Sequence, residues 1–82
     1  MARLNEADFK SADLSKARLE NSDLTKADLS GADLTSAYLN GAKLVGCDLT
    51  EAHLVGTDIS GSQRDVAIFR RYKNEEPNKI AS

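Results

Sequence analysis

A large apolar residue recurs at every fifth position, at Leu4, Phe9, Leu14, Leu19, Leu24, Leu29, Leu34, Leu39, Leu44, Leu49, Leu54 and Ile59. Two residues before each stands a small one, from Ala2 and Ala7 through Ser22 and Cys47 to Thr57. Neither common regular element accommodates that step. Five residues along an α-helix advance the side chain by about 500°, so the leucines would spiral round the cylinder and form no stripe. In a flat strand an odd step sends alternate leucines to opposite faces, which denies them a shared core. What remains is a chain that turns a corner once per repeat. The large and small residues then point inward, the other three positions point outward, and repetition supplies a core that no single unit buries.

The tandem unit, A(D/x)Lxx over residues 2–61, resembles the pentapeptide-repeat family. The resemblance implies an all-β solenoid, a right-handed quadrilateral β-helix with four repeats per square coil. Twelve repeats then make three coils, and residues twenty apart stack: Leu4 on Leu24 on Leu44, Phe9 on Leu29 on Leu49, and so on round the square. At a strand spacing of about 4.8 Å the tower is roughly 14 Å tall. The turn chemistry agrees. Gly31, Gly41, Gly46, Gly56 and Gly61 all occupy the last position of the repeat, where a corner favours positive φ. The position before it is rich in Ser, Thr and Asn, as expected of an exposed surface with local side-chain hydrogen bonding, while Val45 and Val55 depart from that habit.

The rhythm stops at Ser62, so the chain divides into a β-helix over 1–61, a C-terminal α-helix over 62–76 and a frayed tail over 77–82. Ser62 reads as an N-cap with Asp65 three residues on; Val66, Ile68, Phe69 and Tyr72 form an apolar stripe. Arg70, Arg71 and Lys73 complement the dipole near the helix end, and Pro77 closes it. Such a helix serves as a cap over the open coil or as an interface, with Phe69, Arg70 and Tyr72 as contact residues. No comparable cap precedes Leu4, and an open coil edge invites pairing. The expectation is self-association through the N-terminal edge or through the C-terminal helix, or else a natural chain that is longer or stacks on another pentapeptide-repeat chain.

At 82 residues the chain is one small domain. A single cysteine excludes an internal disulfide, and Cys47 fills a slot otherwise held by Ala, which makes it a packing residue. The lone histidine, His53, sits at an outward second position with no nucleophile or ligand set around it in the pattern. There is no paired acid and base, phosphate-binding glycine loop or metal-ligand cluster, so no catalytic, cofactor-binding or metal residue is assigned. No apolar run is long enough for a membrane span or a signal-peptide core, and a cytoplasmic protein is the default expectation.

Function therefore has to be sought on the outside. Sorted by face, one side stacks Asp8, Asp28 and Asp48, and the next stacks Asp13, Asp33 and His53. Five carboxylates on adjacent faces, with Phe69, Arg70 and Tyr72 on the tail, are the candidate partner-binding residues. The expected role is a noncatalytic scaffold for an unidentified protein partner. The alternative rests on the family: quinolone-resistance pentapeptide proteins mimic duplex DNA and bind DNA gyrase in its place. The short tower and a net charge of only −2 weaken that reading here. The acidic surface likewise disfavours nucleic-acid binding.

Overall fold

The computed structural model of the chain describes residues 3–63, and over them the five-residue rhythm becomes a ladder. Nine parallel bridges join residues twenty apart. One side of the tower runs Arg3, Asp23, Lys43, Gln63; the next Asp8, Asp28, Asp48; the third Asp13, Asp33, His53; the fourth Arg18, Tyr38, Asp58. Four sides visited once per twenty residues give a square section, with layers at 3–22, 23–42 and 43–62. Each bridge is isolated, because a corner interrupts the chain before a second residue pairs.

Every corner is a β-turn in which the small residue's N–H donates to the carbonyl of the large residue three positions earlier, as Ala27 to Leu24 (2.9 Å) and Ala32 to Leu29 (3.0 Å). The last residue of each repeat has positive φ, as the third residue of a type II turn requires. Glycine was expected there, and the five glycines comply. Seven other residues do so as well: Glu6, Ser11, Lys16, Asn21, Lys26, Ser36 and Glu51 all lie at φ between 58° and 64°. The ladder holds even charged side chains in a left-handed conformation. At Gly41 space adds to the requirement, since a Cβ would run into the Oδ1 of Asn21 one layer below.

Main-chain bonding joins the layers. In the repeat that contains Leu29, the Leu29 N–H donates to the Asp48 carbonyl (2.8 Å), Gly31 to Thr50 (2.8 Å) and Asp28 to Ala7 (2.9 Å), while Ala27 closes the turn behind it. In the repeats over 27–41 four of the five N–H groups thus meet a carbonyl. The fifth, at the position after the large residue, has no main-chain acceptor, and its fate decides the chemistry of the outer surface.

Inside, Leu24, Leu29, Leu34, Leu39, Leu44, Leu49, Leu54 and Ile59 are no more than 1% exposed, interleaved with Ala27, Ala32, Ala37, Ala42, Cys47 and Ala52. Leu4, Phe9, Leu14 and Leu19 of the first layer are only partly buried and pack against this core from one end. Thr57 takes a small inward slot with its hydroxyl bonded to the Leu34 carbonyl (2.6 Å), so the polar atom is satisfied. The ladder continues two residues past the expected end. Gln63 bridges Lys43, and Ser62 closes a twelfth corner on Ile59, both by Oγ (2.7 Å) and by N–H (3.1 Å). The helix expected over 62–76 and the tail over 77–82 lie, from residue 64 onward, outside the described residues, as do Phe69, Arg70 and Tyr72.

Candidate functional site

The two acidic faces form as four repeats per coil require. Asp8, Asp28 and Asp48 stand one above another on one side, and Asp13 and Asp33 lie under His53 on the adjacent side. A carboxylate column at a spacing near 5 Å repels itself, and something has to offset that cost. The structure shows what does.

In each Asp-bearing repeat the carboxylate accepts the N–H that the ladder leaves over, two residues on. Asp8 takes it from Lys10 (3.0 Å), Asp13 from Ser15 (3.1 Å), Asp23 from Thr25 (3.1 Å) and Asp28 from Ser30 (3.0 Å). Asp33 takes it from Thr35 (3.0 Å), Asp48 from Thr50 (2.9 Å) and Asp58 from Ser60 (3.0 Å). Where the donor is Ser or Thr its hydroxyl bonds the same oxygen, at 2.6 Å in Ser30 to Asp28, Thr35 to Asp33 and Thr50 to Asp48. This is an Asx-type closure repeated along the tower.

The hydroxyl and N–H bonds hold the Asp13, Asp23, Asp28 and Asp33 carboxyls below their usual pKa, the hydroxyl being the larger cause. Repulsion from Asp33 pushes Asp13 the other way, but as the smallest influence on it. Local bonding outweighs column repulsion.

The signal was present in the sequence and was read too coarsely. Six of the seven second-position aspartates are followed two residues later by Ser or Thr, the exception being Asp8 with Lys10. None of the repeats with Arg3, Arg18, Tyr38, Lys43 or His53 at that position has Ser or Thr there; they carry Asn5, Glu20, Asn40, Val45 and Val55 instead. Val45 and Val55 are thus not odd apolar spots. They stand where no aspartate is available to take the N–H.

The remaining outward features are surface contacts. Lys10 lies 3.9 Å from Asp28 across the layers. Arg18 donates to Glu20 through Nε (2.9 Å) and stacks over the Tyr38 ring at 4.7 Å. A shallow hollow of about 350 Å³ runs along the Asp13, Asp33 and His53 side, floored by Ala12 and Gly31. The Cys47 thiol is buried, and desolvation pushes its pKa up to about 12, which leaves no thiolate for chemistry at neutral pH. No group of three or more His, Cys, Asp or Glu among the described residues is placed to hold a metal ion.

Comparison with known proteins places this geometry. The model of pentapeptide repeats matches residues 2–41 and 32–63, with eight copies. No curated protein matches the chain. Among solved structures, a pentapeptide repeat protein from the Arabidopsis thaliana thylakoid lumen is 41% identical, with a TM-score of 0.65, over 73% of this chain and 46% of that one. The pentapeptide repeat protein Rfr23 of the cyanobacterium Cyanothece 51142 is 31% identical, with a TM-score of 0.50, over 79% of this chain and 54% of that one. A trypsin-treated variant of QnrB1, a plasmid-mediated fluoroquinolone resistance protein, shares the fold at 24% identity and a TM-score of 0.51, over 84% of this chain and 42% of its own. The chain thus spans about half the length of each of these relatives. Their common fold is a right-handed quadrilateral β-helix, and this chain belongs to the pentapeptide-repeat family.

Proposed function

We propose that the protein is a noncatalytic interaction module, built of three coils, that presents its two adjacent acidic sides to a protein partner. The observation that carries this reading is the fixing of the carboxylates. Asp13, Asp28, Asp33 and Asp48 each have Oδ1 held by two bonds from the next corner, so the row is ordered before any partner arrives. A preorganised row loses little entropy on binding, and it favours a partner with basic groups at a matching spacing. The tail residues Phe69, Arg70 and Tyr72 are proposed as a second contact region on their residue types alone.

The test is comparative capture with the 82-residue chain and a triple variant, Asp8→Asn, Asp28→Asn and Asp48→Asn, each checked by circular dichroism for an intact fold. Asparagine keeps an acceptor oxygen for the corner N–H and removes the charge. Proteins retained by the parent and lost with the variant support the acidic sides; an unchanged set of bound proteins overturns them. The gyrase-inhibitor alternative draws on the same carboxylate columns. It predicts inhibition of DNA supercoiling by the parent chain and none by the triple variant, and a supercoiling assay with purified gyrase separates the two readings.

A further inference from the structure

Asn40 is the one asparagine in the sequence that precedes a glycine, and the pair forms the fourth corner of the second layer. The corner demands that glycine. Other corners hold Lys or Glu at positive φ, but Gly41 combines a φ of 73° with a close neighbour, since a Cβ there would meet the Oδ1 of Asn21 one layer below. With no side chain at position 41, the main-chain nitrogen that follows Asn40 is unhindered toward the Asn40 carboxamide. Asn5 and Asn21 are more exposed, yet each is followed by a residue whose side chain crowds that approach, Glu6 and Ser22.

We infer that Asn40–Gly41 is a deamidation site, and that its main-chain bond to the third layer holds it unreactive while the tower is closed. The step needs only solvent. The Gly41 nitrogen attacks the Asn40 Cγ and gives up its proton; the new N–Cγ bond forms, the Cγ–Nδ2 bond breaks, and ammonia leaves with that proton. A cyclic imide results. Water then opens the ring at either carbonyl, so the product is aspartate or isoaspartate.

Two features of the closed corner oppose the attack. The Gly41 N–H donates to the Ser60 carbonyl (2.9 Å), so the proton that must leave is engaged. The second residue of a type II turn has ψ near ~+120°, which points the next nitrogen away from the Cβ with which it must eclipse to close the ring. Bonds on either side resist that rotation: Leu39 donates to Asp58 (2.7 Å), Ala42 to Leu39 (3.0 Å), and the Asn40 carbonyl accepts from Asn21 (3.0 Å). Reaction therefore waits for local opening. The two products then part ways. Isoaspartate routes the main chain through the former side chain and adds one carbon to a corner whose path length sets the register with Asp58 and Ser60. Aspartate keeps the length and adds a carboxylate one layer above Glu20, whose charge Arg18 already balances at 2.8 Å.

Peptide mapping by mass spectrometry during incubation at mildly alkaline pH tests the assignment, with a synthetic peptide of residues 36–45 as the open reference. Conversion at Asn40 in the folded 82-residue chain should run on the order of tenfold or more slower than in the peptide, because only the opened fraction reacts. In concentrated urea the two rates should converge, and Asn40 should be the first asparagine converted. Chain carrying isoaspartate at position 40, detected by an isoaspartyl methyltransferase, should lose cooperative melting, whereas Asn40→Asp should keep it. Three results would each overturn the inference: a folded chain that converts at the peptide's rate, another asparagine that converts ahead of Asn40 in urea, or an isoaspartyl chain that melts like the parent.

Discussion

The first and second layers of the tower repeat the same inward pattern in different surroundings. Both present four large apolar residues at five-residue spacing, and both turn at four corners with positive φ. Yet Leu24, Leu29, Leu34 and Leu39 are 0% exposed, whereas Leu4, Phe9, Leu14 and Leu19 are only partly buried. The motif fixes which way a side chain points; the layer above and the layer below fix how far it leaves water. Burial in a solenoid is thus a property of position in the stack.

Paired substitutions break that comparison most directly. Leu29→Asp places a charge in the middle of a dry core with no partner and should unfold the tower, read as loss of cooperative melting by circular dichroism. Leu34→Ala should cost about 2–5 kcal/mol, a large share of the stability of so small a domain. Leu14→Ala, one layer below on the same side, removes the same atoms from a site already partly in water and should cost about half as much or less. Equal losses in urea unfolding would show that the first layer is as enclosed as the second.

Acid sharpens the same contrast on the outside. The folded-state pKa values of Asp13, Asp23, Asp28 and Asp33 are lowered from an ordinary 3.8, chiefly by the Ser or Thr hydroxyl two residues on. The unfolded chain therefore takes up protons first. The stability these groups add is fully present above about pH 5 and is lost as pH falls through 3.8 and on through the lowered values. Melting temperature should hold level from pH 7 to about 5 and then drop steadily. Asp33→Ala, which breaks bonds from both the Thr35 N–H and its hydroxyl, should flatten that acid limb. Asp8→Ala breaks a single bond from the Lys10 N–H and should cost less stability at neutral pH than Asp33→Ala.

The five-residue period made the ladder legible, since no other regular path keeps twelve large residues on one inner side. It also placed both acidic columns once the family resemblance supplied four repeats per coil, which stacks residues twenty apart. The reason for the aspartates was not legible from the period alone. It emerged from asking where every N–H goes, and the answer couples the second position to the fourth: Asp33 with Thr35, but His53 with Val55. Positive φ at Lys16 and Glu51 was hidden for a different reason. Intrinsic preference points away from a left-handed lysine or glutamate, and only the bonds on either side of the corner enforce it.

The smallest expected effect concerns Cys47, the one chemically reactive side-chain type inside the tower. It lies in the column of small inward residues, with Ala27 beneath it in the ladder register, and is 1% exposed. Its thiol is held at a pKa of about 12 by burial first and by Asp48 and Asp28 second. The side chain then contributes packing volume alone, and alanine fills the same slot elsewhere in the core. Cys47→Ala should shift stability by less than about 1 kcal/mol, with unchanged circular dichroism. In the parent chain a thiol reagent at pH 8 should react no faster than the tower unfolds, so that labelling and unfolding rates rise together with urea. Rapid labelling of the folded protein would mean that the third layer opens locally while the second stays closed, and the two layers would then differ in dynamics as the first and second differ in burial.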